Sequence, residues 1–70
     1  MTDILAPMSG NIWKILIKEG DSVQADDELI IMEAMKMEIP VAAPANGVIK
    51  TLAVHEGDAV DADKVLITLE

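Results

Sequence analysis

Residues 6–33 read APMSGNIWKILIKEGDSVQADDELIIME, and residues 43–70 read APANGVIKTLAVHEGDAVDADKVLITLE. A shift of 37 positions aligns the two stretches without a gap, and 13 of the 28 aligned residues are identical. The identities include Gly and Pro residues as well as apolar ones. Because two copies are too few for a solenoid, we expect the halves to pack against each other about a pseudo-twofold axis.

Within each copy the residue types are typical of β-strands. Runs rich in Ile, Leu, Val or Trp begin at Gly10 and Gly47, and a Glu-Gly-Asp sequence ends each run. The Gly of that sequence supplies the positive φ of a tight turn. Ile12 and Ile49 have the wrong parity for the apolar face of their runs. We therefore predict a bulge near the start of both strands.

Residues 26–38 (DDELIIMEAMKME) present a conflict between local propensity and the repeat. The residue types favour a helix, with Asp caps in front and Pro40 behind. The aligned residues of the second copy, 63–70, are rich in β-branched residues and too few for a stable helix. Because the halves are alike, we predict a strand at 29–32 and an antiparallel return strand at 38–42.

These strands predict an all-β fold, with one domain over residues 1–70. We expect a flattened barrel or sandwich of two roughly four-stranded antiparallel sheets with internal pseudo-twofold symmetry. Residues 34–37 (AMKM) then form a hairpin tip without Gly, Asn or Asp, although two-residue turns favour these at positive φ. A tip built from Met and Lys is expected to be strained, and strain is more often found at functional positions.

The apolar parity of the strands predicts a core. Trp13 is expected to be partly buried, on the face that Ile15 and Ile17 share, and a contact with a partner is the alternative. The predicted core residues are Ile15, Ile17, Val23, Ile30, Met32, Leu52, Val54, Val60, Ile67 and Leu69.

The composition narrows the classes of partner. Five Lys and no Arg stand against 13 Asp and Glu, a formal net charge of −8, so we expect neither a nucleic-acid nor a membrane partner. With no Cys and one His, we expect no thiolate nucleophile and no metal site. The first residues lack the pattern of a signal peptide, so we expect a cytoplasmic protein. We also expect the chain to be monomeric in isolation.

The sequence EAMKME at residues 33–38 resembles the biotin attachment motif of biotin-dependent carboxylases, transcarboxylases and decarboxylases. The resemblance to their biotinyl domains covers almost the whole chain, including both Ala-Pro pairs and both Glu-Gly-Asp turns. It implies that a biotin protein ligase joins biotin to Lys36 as an amide. The domain then shuttles carboxybiotin from a biotin carboxylase to a carboxyltransferase, and contributes no catalytic residue and no metal of its own.

The resemblance also assigns roles to the residues around the lysine. Lys36 is the covalent biotin site, and Met35 and Met37 are recognition residues for the ligase. Ala34 and Glu33 complete the motif. The resemblance fits a stand-alone attachment protein and a domain of a longer enzyme equally.

Three alternatives remain open on the sequence. A lipoyl carrier shares the fold and the modified lysine, but lipoyl domains usually have Asp before that lysine and Ala or Val after it, which favours biotin here. Dual attachment of biotin and lipoate is a second alternative. An unmodified interaction module is a third, of a different class. In it Lys36 is an ordinary surface residue. Apart from these functions, the residue types alone also allow a structural role, in which Met35 and Met37 pack against the end of the barrel and Lys36 is a solvated turn residue.

Overall fold

The computed structural model describes all 70 residues, and every regular element in it is a β-strand. The all-β prediction is therefore confirmed, and the conflict over residues 26–38 is resolved in favour of strands. No helix is present that is long and apolar enough to cross a membrane. In chain order the strands are β1 Thr2–Leu5, β2 Gly10–Ile15, β3 Ser22–Val23, β4 Glu28–Ala34, β5 Met37–Ala42, β6 Gly47–Leu52, β7 Ala59–Val60 and β8 Val65–Leu69.

The strands form two four-stranded antiparallel sheets, which exchange their shortest strands between the repeats. The terminal sheet has the order β1-β8-β6-β3, and the hairpin sheet has the order β5-β4-β2-β7. Strand β3 of the first copy thus pairs with β6 of the second, and β7 of the second copy pairs with β2 of the first. This reciprocal exchange is the pseudo-twofold packing that the repeat predicts.

Both predicted bulges are present, at equivalent positions in the two sheets. The strand register shifts immediately after Ile12 in β2 and immediately after Ile49 in β6. Ile12 and Ile49 are each 1% exposed. The next residues that pack against the core, Ile15 and Leu52, follow three positions later. Two consecutive residues of each strand therefore face outward between them.

The bulge corrects the expected position of Trp13. Trp13 does not share the inward face of Ile15 and Ile17, because it is the extra residue of the bulge in β2. Its side chain is 45% exposed and lies beside that of Lys14.

The core lies between the sheets and includes most of the predicted residues. Seven of the ten are buried, whereas Ile15, Ile17 and Leu52 pack against its edge. Strict alternation misses Leu29, which is fully buried beside Ile30 because a register shift occurs between Glu28 and Ile30. The other buried residues outside the prediction are Ile4, Ala6, Ile12, Ala34, Val41, Ala43, Ile49 and Leu66.

The two Glu-Gly-Asp turns join the halves to each other. Glu19 Oε2 accepts a hydrogen bond from the Leu52 amide, and Glu56 Oε2 accepts one from the Ile15 amide, each at 3.1 Å. The two turn glycines have φ of 94° and 93°. Their amides donate to the carbonyls that precede the bulges of the opposite half, at 2.8 and 2.7 Å. Each turn therefore completes the bulged strand of the other copy.

Candidate functional site

The hairpin of β4 and β5 ends in a two-residue turn formed by Met35 and Lys36. Ala34 and Met37 are the last paired residues before the turn. Met35 has φ 53° and Lys36 has φ 64°, and positive φ at both central residues is a feature of the type I′ turn. This conformation costs a side-chain-bearing residue about 1–2 kcal/mol. The strain that the sequence predicts at the tip is therefore present.

Elsewhere in the chain, positive φ falls on residues that tolerate it. The two other non-glycine residues with positive φ are Asp26 at 71° and Asp63 at 68°, which occupy equivalent positions of the repeat. A short polar side chain accepts this conformation more readily than Met or Lys does. Met35 and Lys36 lie after the first aligned stretch, residues 6–33, and before the second, residues 43–70. Their strain is specific to the tip.

The side chains of the tip point into solvent. Met35 is 83% exposed and Met37 is 64% exposed, so neither methionine packs against the end of the barrel as the structural role requires. The Lys36 side chain is also exposed and forms no hydrogen bond or ion pair within the chain. Its amine is therefore accessible to another protein and has no internal contact to break.

The base of the tip is held closely against β2. Ala34 is only 6% exposed, and a Cβ added at Gly10 would lie 2.7 Å from the Glu33 carbonyl oxygen and 3.0 Å from the Ala34 Cβ. Glu33 faces Glu38 across the hairpin, and both carboxylates are exposed. Of the motif residues, Ala34 thus acts in packing, whereas Glu33 lies on the surface.

Gly10 is a residue that motif reasoning does not assign to the site. It is conspicuous in the sequence only as half of a repeated pair with Gly47. The structure shows why no larger residue fits, because β2 passes the end of β4 at the distance that glycine allows. The hairpin leading to Lys36 is therefore supported from one side by backbone contact.

An exposed primary amine on a fixed turn can act as a nucleophile toward a group that another protein presents. The amine can attack an activated carboxyl group that another protein presents, and nothing in the turn covers the Nζ atom. The chain contains no cavity and no cluster of three or more side chains suited to hold a metal ion. The residues present thus fit a carboxylic acid cofactor attached through an amide.

Comparisons with known proteins identify the family of the chain. The sequence profile of a family described as "Biotin-requiring enzyme" matches residues 2–69. The chain is 50% identical to the Biotin/lipoyl attachment protein of Bacillus subtilis over 34 residues, and these residues are 49% of this chain. It is 53% identical over 36 residues, 51% of this chain, to the Methylmalonyl-CoA carboxyltransferase 1.3S subunit of Propionibacterium freudenreichii subsp. shermanii.

Two solved structures have the same fold. The urea carboxylase of Kluyveromyces lactis matches 99% of this chain with a TM-score of 0.92 and 32% identity, over 6% of its own length. The lipoyl domain of the 2-oxoglutarate dehydrogenase complex from Azotobacter vinelandii matches 100% of this chain and 96% of its own, with a TM-score of 0.85 and 30% identity.

The relatives that match in sequence are longer than this chain. The matched region is 47% of the Bacillus protein and 29% of the Propionibacterium subunit, so the chain matches less than half the length of either.

Proposed function

Because the chain belongs to the biotin/lipoyl attachment family, we propose that it is a biotin carboxyl carrier with the cofactor attached to Lys36. In this proposal a biotin protein ligase modifies the lysine, and a biotin carboxylase and a carboxyltransferase use the product in turn. The observation that carries the proposal is the exposed Lys36 on a strained turn between two exposed methionines. The domain itself performs no catalytic step.

The attachment step uses the Lys36 amine as its nucleophile. The ligase presents the biotin carboxyl group as its adenylate, and the deprotonated Nζ attacks the carbonyl carbon. The new C–N bond forms as the C–O bond to AMP breaks, and the amine loses a proton. Because an ammonium group becomes a neutral amide, the formal charge of the domain changes from −8 to −8 − 1 = −9.

Attached biotin supplies a ureido ring that takes up a carboxyl group at one active site and releases it at another. The hairpin contributes a fixed pivot, because Gly10 and Ala34 hold its base against β2. Tethering keeps the reactive end of the arm at a high effective concentration near both sites, without a cavity in the domain.

The methionines beside the lysine support recognition by the ligase. Met32 on β4 is fully buried, whereas Met35 at the tip is 83% exposed. Flexible, polarizable Met side chains adapt to a partner's surface, and here they lie next to the reacting amine. We assign Met35 and Met37 to the ligase contact for this reason.

Lipoate is the second candidate cofactor. The fold shared with the lipoyl domain of Azotobacter vinelandii over the whole chain favours it, since the same hairpin can present a lysine to a lipoyl ligase. Met on both sides of Lys36 favours biotin over lipoate. Attachment of either acid uses the same amine.

Intact-mass spectrometry tests the choice between the cofactors. The chain is incubated with ATP, biotin and a biotin protein ligase, and in parallel with ATP, lipoate and a lipoyl ligase. We expect one biotinyl group per chain and none on Lys36→Arg, which keeps the charge but is not an acceptor. A lipoyl adduct without a biotinyl adduct would assign the chain to lipoate carriers. No adduct from either ligase would leave only the interaction module.

A further inference from the structure

Trp13 and Leu16 form an exposed apolar patch on the outer face of the hairpin sheet, together with Ile31 and Pro40. Trp13 is 45% exposed and Leu16 is 49% exposed. Ile31 is half-buried and Pro40 exposed, and they face each other across β4 and β5. We call these four residues the outer patch.

The residues of the outer patch lie on or next to the neighbouring strands β2, β4 and β5. Lys14 pairs with Ile31 in the register of β2 and β4, and the Trp13 ring lies in the bulge just before that pair. The Leu16 amide donates to the Leu29 carbonyl at 2.9 Å, which keeps this residue beside β4 after β2 has ended. The bulge that turns Trp13 outward thus brings the patch together.

The repeat shows that the fold does not require apolar residues at these positions. The residues at the equivalent positions of the terminal sheet are Lys50, Ala53, Thr68 and Asp3. Both sheets have the same bulge and the same number of strands, so packing explains neither Trp13 nor Leu16. Apolar surface residues that the packing does not require are candidates for a contact with another molecule.

The Trp13 ring is suited to anchor such a contact. The Lys14 Nζ atom lies 4.9 Å from the ring centroid, within the range of a cation–π contact. An indole side chain has only two torsions to fix when a partner covers it, and tryptophan is enriched among residues that dominate binding energy. This is the single Trp of the chain.

The near edge of the outer patch, at Ile31, lies within the radius of one standard interface from the tip. Ile31 precedes Ala34, where the turn begins, by three residues, which is about 10 Å along a strand. A standard interface covers about 800 Å² of each partner, a circle of roughly 16 Å radius. An enzyme that accepts the Lys36 amine in its active site at such an interface therefore extends to the patch.

We infer that the outer patch is a docking surface for the biotin protein ligase, an inference that rests on the proposed function. The ligase must bring its active site within one lysine side chain of the turn, whereas the carboxylase sites reach the cofactor through the longer biotinylated arm. The patch requires an apolar recess on the ligase. The exposed Glu33 and Glu38 lie between the patch and the turn, and they require a basic rim around the recess of the ligase. The net charge of −8 on this chain also favours a basic surface on the ligase.

Biotinylation kinetics test the inference. The double variant Trp13→Lys/Leu16→Ala installs the residues that the repeat already accommodates at the equivalent positions. A matched control, Val48→Lys/Leu5→Ala, makes the same charge change on the terminal sheet, where Val48 is 39% exposed and Leu5 is 43% exposed. We expect the patch variant to raise the KM of the ligase for the chain about tenfold with kcat within about twofold. The control should leave both unchanged, and circular dichroism should show all three chains folded.

A second measurement does not depend on a variant. The chain is labelled with 5-fluorotryptophan, which gives one 19F signal because only Trp13 is present. Unlabelled ligase should shift and broaden this signal in proportion to complex formation. An unshifted signal at saturating ligase would overturn the inference.

The outcomes separate the docking surface from the function. If the ligase attaches no biotin to the unsubstituted chain, the proposed function is wrong. If the unsubstituted chain incorporates biotin and the ligase has the same KM for this chain and for the patch variant, the proposed function stands and only the docking surface is wrong. An equal rise of KM in patch variant and control would also contradict it, as would a patch variant that loses only carboxyl transfer.

Discussion

Met35 and Lys36 hold a backbone conformation that their side chains disfavour, in a turn where glycine would be more stable. The other non-glycine residue with positive φ in the first copy is Asp26, whose short polar side chain tolerates it. The glycines of both Glu-Gly-Asp turns adopt positive φ freely. The tip alone retains residues that cost stability. We attribute this to selection for the reacting amine and its flanking thioethers rather than for the turn.

The strain predicts an unusual result for one substitution at the tip. We expect Lys36→Gly to raise the free energy of unfolding by about 0.5–1 kcal/mol, because relief of the positive φ exceeds the entropy that glycine adds to the unfolded chain. Lys36→Ala keeps a Cβ, so its stability should stay within about 0.5 kcal/mol of the unsubstituted chain. Urea unfolding measures both, and a glycine variant less stable than the alanine variant would refute the strain.

Among the strands and turns, the site depends on contacts that cross between the halves. Local residue types predict the strands and the positive-φ glycines, and repeat parity predicts both bulges. Neither predicts that Glu19 and Glu56 bind the opposite half, because such hydrogen bonds depend on how the copies pack. Simple alternation also fails to predict that Leu29 and Leu66 are buried, because register shifts between the paired strands place both side chains in the core. Nor does it predict the outward turn of Trp13.

Both turn carboxylates should contribute equally to stability. We expect Glu19→Ala and Glu56→Ala each to lower the free energy of unfolding by about 1 kcal/mol, since each removes the acceptor of one exposed backbone amide. Glu19→Gln retains a carbonyl acceptor and should lose less. Thermal unfolding of the four chains is the measurement, and a large difference between the two alanine variants would contradict the pseudo-twofold equivalence.

Close approach of β2 to β4 gives a second contrast between equivalent residues. A Cβ at Gly10 would meet the Glu33 oxygen at 2.7 Å inside the sheet, and one at Gly47 would meet the Glu70 oxygen at 2.9 Å at the last residue. We expect Gly10→Ala to lower the free energy of unfolding by about 1–3 kcal/mol and Gly47→Ala by less. The reason is that the Cβ at Gly10 also comes within 3.0 Å of the Ala34 Cβ, whereas at Gly47 the next atom, the Leu69 Cβ, is 3.6 Å away. Chemical denaturation compares them. Equal losses would show that the base of the hairpin is not held more tightly than the equivalent contact in the second copy.

As a whole, the molecule is a small scaffold whose stability rests on one core between two sheets. The repeat, the positions of the strands along the chain and the hairpin tip follow from the sequence, because the repeat outweighs helical propensity and residues 34–37 lie outside both aligned stretches. The family resemblance supplies the cofactor, which residue chemistry alone does not specify. What the sequence leaves unspecified is three-dimensional: the exchange of β3 and β7, and the patch beside the hairpin.

Loss of core volume should affect the whole domain at once. Ile67 is fully buried and packs in the single core cluster. We expect Ile67→Ala to cost about 2–5 kcal/mol, most or all of the stability of a domain of this size. Val65→Ala on the same strand, where the side chain is 36% exposed, should cost less than about 1 kcal/mol. Calorimetry distinguishes them, and a small loss for Ile67→Ala would place that side chain outside the core.

The most direct test of the carrier function is to locate the biotin. The chain has five possible acceptors, Lys14, Lys18, Lys36, Lys50 and Lys64, and all but Lys36 lie outside the tip. After partial reaction with ligase, ATP and biotin, proteolysis and peptide mass spectrometry give the occupancy of each lysine. We predict biotin on Lys36 alone, with the other lysines as internal controls. Biotin at another lysine, or spread over several, would contradict the assignment of the strained tip as the attachment site.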